Sequence, residues 1–105
     1  MAKVHELGAK NPFLGTWRCC DGSSDVEYTI AAEGGKLVVS GVDKHDGELA
    51  QIRNITWSAT TSVLTFEAYW SSSGRSTRYS FASTPKAGRA SVTYSYTAQD
   101  TWERV

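Results

Sequence analysis

The residues best suited to chemistry in this chain are aromatic: Tyr28, Trp57, Tyr69, Trp70, Tyr79, Tyr94 and Tyr96. Tyrosine joins an apolar ring to a hydroxyl that needs a partner, and a few polar tips on apolar walls are the usual form of a small-molecule site. The plainer alternative is that these rings fill a core. Arg53 and Glu67 are charged residues on the segments that carry Trp57, Tyr69 and Trp70. Facing inward they would need each other or a ligand's polar group, since an unpaired buried charge is costly. A register change of one residue would turn both outward. The candidate ligand-binding set is therefore Tyr28, Arg53, Trp57, Tyr69, Trp70, Tyr79, Tyr94 and Tyr96.

Other groupings carry less. Asp43-Lys44-His45-Asp46-Gly47 has oxygen and nitrogen ligands, but a calcium loop needs more oxygens at set spacing, and Asp-Gly favours a turn. No metal site is assigned. Cys19 and Cys20 are adjacent, so on a strand they point to opposite faces; they are read as two reduced thiols. Asn54-Ile55-Thr56 fits a glycosylation sequon, which has meaning only in a secreted chain. There is no nucleophile elbow and no phosphate-cradling glycine loop, and neither His5 nor His45 has an evident strand-borne acid partner, so no catalytic residue is assigned. Arg75, Arg78, Tyr79, Phe81 and Arg89 form a basic and aromatic set of the kind that stacks bases. A formal net charge of zero argues against nucleic acid or an anionic membrane as the main partner.

The elements that must position these residues are short and alternate in polarity. Val26, Tyr28, Ile30 and Ala32 alternate with Asp25, Glu27 and Thr29; Leu64, Phe66, Ala68 and Trp70 alternate with Val63, Thr65, Glu67 and Tyr69. Tyr79 and Phe81 face away from Arg78 and Ser80, and Val92, Tyr94 and Tyr96 away from Ser91, Thr93 and Ser95. Period-two patterns of this kind give strands with one buried face and one wet face. Between Glu48 and Ser58 the pattern is mixed, because Leu49, Ile55 and Trp57 share a parity with Gln51 and Arg53; a bulge or an inward polar patch would account for it. Strands are expected at 13–20, 25–32, 36–43, 48–58, 63–71, 75–83, 89–98 and 100–105. The connectors are short and mostly glycine-bearing, which joins each strand to its neighbour as an antiparallel meander. A sheet of about eight strands with one apolar face has two open edges unless it closes, so the expected fold is all-β, an antiparallel up-and-down β-barrel.

At the head of the meander stands Phe13-Leu14-Gly15-Thr16-Trp17-Arg18. Its Gly15-Thr16-Trp17 resembles the Gly-x-Trp of the first strand of the calycins, the group of lipocalins, fatty-acid-binding proteins and avidins, and looks most like the fatty-acid-binding and nitrobindin-like members. The resemblance implies that Trp17 lies at the closed end of a barrel with a basic residue of the last strand across its indole. Arg104, in Thr101-Trp102-Glu103-Arg104, is the positional candidate, and guanidinium over indole is a favourable cation–π arrangement. The chain departs from the nitrobindin-like pattern in lacking a C-terminal histidine to ligate haem, and no cofactor is expected.

The 105 residues suffice for one domain, with a polar leader at 1–12 and a single β-barrel domain at 13–105. Leu7 of the leader could plug one end. Charge is uneven: Met1 to Ile52 holds five basic residues against eight acidic, and Arg53 to Val105 six against three. These halves could attract each other or a second copy. The start has no apolar signal region and no run is long enough to span a bilayer, so a cytoplasmic setting is expected. The functional expectation is non-catalytic binding of a small, largely apolar or aromatic molecule inside the barrel. The alternative is a structural or protein-interaction module, its barrel filled by its own side chains, that associates through a sheet edge or face as a homodimer. A third reading is an isomerase- or hydrolase-like barrel using Arg53, Glu67 or a tyrosine.

Overall fold

A computed structural model describes residues 11–105. It is all-β: β1 (Gly15–Arg18), β2 (Val26–Glu33), β3 (Lys36–Asp43), β4 (Gln51–Ser58), β5 (Val63–Trp70), β6 (Arg75–Ser83) and β7 (Ala90–Thr97). Every pairing is antiparallel between sequence neighbours, in a three-stranded sheet β1-β2-β3 and a four-stranded sheet β4-β5-β6-β7. Most of the expected polar leader, with His5 and Leu7, lies outside the described residues. Its last two residues turn the chain into β1: Phe13 N donates to Asn11 Oδ1 at 2.9 Å and Leu14 N to Asn11 O at 3.3 Å.

The alternation in the sequence becomes the packing. Along β5 the side chains of Leu64, Phe66, Ala68 and Trp70 are all buried while those between them are half-exposed. Across from them, Phe13, Tyr28, Ile30 and Val39 come from the segment leading into β1 and from β2 and β3, and with Phe81 they form one core between the two sheets. Fully burying a side chain such as Phe66 contributes roughly 2–3 kcal/mol, so this row is the main source of cohesion. Gly41 makes the closest approach possible, because the Tyr28 ring lies where a side chain would start: a Cβ there would fall 2.6 Å from Tyr28 Cε1.

The mixed parity of β4 is resolved by a bulge. Pairing with β5 shifts register between Arg53 and Thr56, and Asn54 takes a left-handed φ of 55°. Ile52 lies opposite buried Ala68 and Trp57 opposite buried Leu64, so the bulge places both on the core side although they are an odd number of residues apart. Arg53 is turned outward with Gln51.

The expected barrel is corrected in several respects. There are seven strands among the described residues, not eight, and no closed barrel. The segment Asp100–Val105 forms no strand; its two apolar residues, Trp102 and Val105, would alternate onto opposite faces, so pairing would give it no apolar side to bury. Trp102 is 87% exposed. The expected first strand, 13–20, is reduced to the four residues of β1, too short to close a seam. The sheet also breaks between β3 and β4, where the ladder shrinks to one bridge, Val42 to Leu49, supported by Asp43 N donating to Glu48 O and Ala50 N to Gly41 O at 2.9 Å each. Glu48 is drawn away at this corner: its carboxylate accepts from Ser72 N at 3.0 Å, Ser72 Oγ at 2.6 Å and Ser71 Oγ at 3.3 Å.

Candidate functional site

The four-stranded sheet is one strand wider than the sheet packed on it, and β7 is the strand left over. Register fixes which of its side chains continue the core face: Val92 pairs with Phe81, Tyr94 with Tyr79 and Tyr96 with Thr77. Phe81 and Thr77 are buried, yet Tyr94 is 67% and Tyr96 56% exposed. The result is an open tyrosine shelf that runs off the edge of the core. Exposed apolar surface contiguous with a core is less common than scattered exposed residues and marks sites of contact.

The inner end of the shelf is tied to the core. Tyr79 lies against Tyr94 with ring centroids 6.1 Å apart, against Phe66 at 5.4 Å and against Tyr28 at 5.0 Å. Tyr28 Oη donates to Tyr79 Oη at 3.1 Å. Burial pushes the Tyr28 hydroxyl's pKa well up from its ordinary value, and the bond to Tyr79 adds to the shift, so this group stays a neutral donor. At the outer end the guanidinium of Arg75 stands 4.3 Å from the centroid of the Tyr96 ring. The shelf therefore offers ring faces, hydroxyls and one cation at its rim.

The sequence-derived set divides. Tyr28 and Trp70 are buried, with Tyr28 against Trp70 at 6.5 Å, and both belong to the core. Trp57 packs edge-on against Phe13 at 6.1 Å, and its indole Nε1 is buried without a hydrogen-bond partner among the described residues. Tyr79, Tyr94 and Tyr96 form the shelf. Arg53 and Tyr69 are not on it: they lie on the outer face, where the guanidinium sits 5.2 Å from the Tyr69 centroid. Arg53 thus does not serve as an interior polar group, and Glu67 is also outward, 3.8 Å from Arg78 Nη1. The outer-face residues Arg78, Ser80, Thr93 and Ser95, together with Tyr94 at the strand between them, line a shallow hollow of about 210 Å³.

Trp17 is corrected too. Its indole packs edge-on against Phe13 at 6.2 Å and Phe81 at 5.9 Å, and Nε1 donates to Phe13 O at 2.8 Å. Arg104, exposed in the strandless C-terminal segment, does not cover it. Cys19 and Cys20 are free and exposed; Cys19 Sγ donates to Asp21 Oδ1 at 3.0 Å, and Arg89 Nη1 donates to Cys20 Sγ at 3.2 Å. Hydrogen bonds from Cys19 and Ser23 lower the Asp21 carboxyl to about 2. Among the described residues no three His, Cys, Asp or Glu side chains converge on a metal position, and no helix is long and apolar enough to cross a membrane.

Sequence reading missed Arg75 as a member of the site. The signal was present, since Arg75 shares the parity of Thr77, Tyr79 and Phe81 along β6. No protein-family model matches the chain, and no curated protein or solved structure matches it.

Proposed function

We propose that this protein binds a small, largely apolar or aromatic molecule on the open face of β7, with Tyr79, Tyr94 and Tyr96 as the floor and Arg75 at the rim. The observation that carries the reading is the exposure of Tyr94 and Tyr96 on the side of the sheet that is core elsewhere. Stacked rings hold a flat ligand through dispersion and edge-to-face contacts, and hydroxyls at the ring tips orient it. The residues supply recognition and no reaction is assigned to them. The site differs from the enclosed interior expected of a barrel, because the core between the sheets is occupied by Phe13, Ile30, Leu64 and Phe66.

The finer fold reading belongs to the same proposal. An antiparallel meander headed by Gly15-Thr16-Trp17, with Trp17 half-buried at the start, supports a calycin-like design whose seam between β1 and β7 is open. A cytoplasmic setting is supported by the two unbridged, exposed thiols.

A thermal-shift screen of planar aromatic and apolar metabolites tests the reading. A ligand of the native state raises the melting temperature in proportion to its occupancy, and Tyr94→Ala and Tyr96→Ala abolish the rise. A flat response to the whole panel at high concentration would count against it.

A further inference from the structure

β7 is the free edge of its sheet, and nothing hydrogen-bonds to its far side among the described residues. Natural edge strands of this length are blunted by lysine, proline, a bulge or an inward charge, because a bare row of N–H and C=O groups recruits another strand. β7 has none of these devices. Ala90–Thr97 contains no charged residue, no proline and no glycine, and it pairs with β6 through eight consecutive positions without a register shift. The free edge at β1, by contrast, is four residues long and carries Arg18.

We propose that β7 pairs antiparallel with β7 of a second copy of this chain, joining two four-stranded sheets into one continuous sheet. A two-fold axis normal to the sheet keeps the core face of each copy on the same side, so residues of like parity must lie opposite each other. Centring the axis on Tyr94 sets Tyr94 opposite Tyr94 and Val92 opposite Tyr96, which carries the aromatic row across the seam. Overlap and chemistry favour the same register, which pairs Ser91 to Thr97 of each β7 and sets ring on ring at the axis. Moving the axis to Ser95 shortens the pairing to Thr93 to Thr97, and moving it to Thr93 sets Tyr94 opposite Val92 and Tyr96 opposite Ala90, which removes the ring pair. A net charge of zero leaves no long-range repulsion between copies. In the dimer the tyrosine shelf becomes a two-fold floor to which each copy contributes Tyr94 and Tyr96. The pairing stands whether or not that floor holds a ligand.

Sedimentation equilibrium of the full chain, from low micromolar to submillimolar, reads the association directly, and a monomer–dimer equilibrium is expected. Tyr94→Lys places two ammonium groups against each other at the axis and weakens dimerisation roughly tenfold. Because Tyr94 is mostly exposed, this change spares the core. A cross-link gives an independent measure. In a Cys19→Ser, Cys20→Ser background, Tyr94→Cys oxidises to a covalent dimer, since directly opposed antiparallel residues lie at disulfide distance. Thr97→Cys, which the register sets opposite Ser91, does not. A monomer at every concentration, equal cross-linking of both cysteine variants, or undiminished association of Tyr94→Lys would each overturn the proposal.

Discussion

Tyr28 and Tyr79 meet hydroxyl to hydroxyl at 3.1 Å although 51 residues of chain separate them, and the bond joins the three-stranded sheet to the four-stranded one. It lies where the closed core gives way to the open shelf, so one phenol is buried by the other sheet and its partner begins the exposed tyrosine row. The contact therefore ties the open shelf to the closed core.

Removing either hydroxyl is expected to cost about 1 kcal/mol, the usual net worth of a hydrogen bond plus the desolvation of the partner left behind. In a double-mutant cycle of Tyr28→Phe and Tyr79→Phe, read by urea unfolding, the second change costs less than it does alone. Additive costs would show that the two hydroxyls do not interact.

The same bond sets an alkaline limit. The folded pKa of Tyr28 is raised above its ordinary value of 10.0, chiefly by burial and then by Tyr79. A group whose folded pKa is raised contributes stability that is fully present below the unfolded pKa and is lost as the pH climbs toward the folded one. Stability is therefore expected to fall above about pH 10, and tyrosinate absorbance should show one phenol ionising only with unfolding. In Tyr28→Phe the alkaline fall is shallower and that late-ionising phenol is gone.

Gly41→Ala is expected to cost about 1–3 kcal/mol by overpacking. Its new Cβ would stand 2.6 Å from Tyr28 Cε1, 2.8 Å from Cδ1 and 3.3 Å from Ala50 Cβ, so the ring must move. Near-ultraviolet circular dichroism should change with the melting temperature. An unchanged spectrum and an unchanged melting point would mean the ring is not held against β3.

Glu48 gives the acid side. Hydrogen bonds from the Ser72 side chain and backbone, with Ser71 behind them, hold its carboxyl below the ordinary 4.5. A depressed folded pKa contributes stability above the unfolded pKa and loses it as pH falls through the folded one. Glu48→Gln should thus flatten the pH dependence of stability below about pH 4.5, without changing it near neutrality in the same proportion. Denaturant midpoints measured across that range check it.

Alternation and short connectors determined a great deal: the strand character of β2, β5, β6 and β7 and the core face of β2, β5 and β6 from the first, and the antiparallel joining of neighbours from the second. These are local properties, since side chains two apart share a face whatever the strand packs against. The anomaly of β4 was also visible as a clash of parities, though only pairing with β5 distinguished a bulge at Asn54 from an inward Arg53. What tertiary structure alone decided is which apolar faces are covered. Val92, Tyr94 and Tyr96 carry the same pattern as Tyr28 and Ile30, yet one row is open and the other buried, because coverage depends on how many strands the opposing sheet has. Closure is likewise non-local: it needs a first strand and a last strand that both present a face, and neither the four residues of β1 nor Asp100–Val105 can supply one.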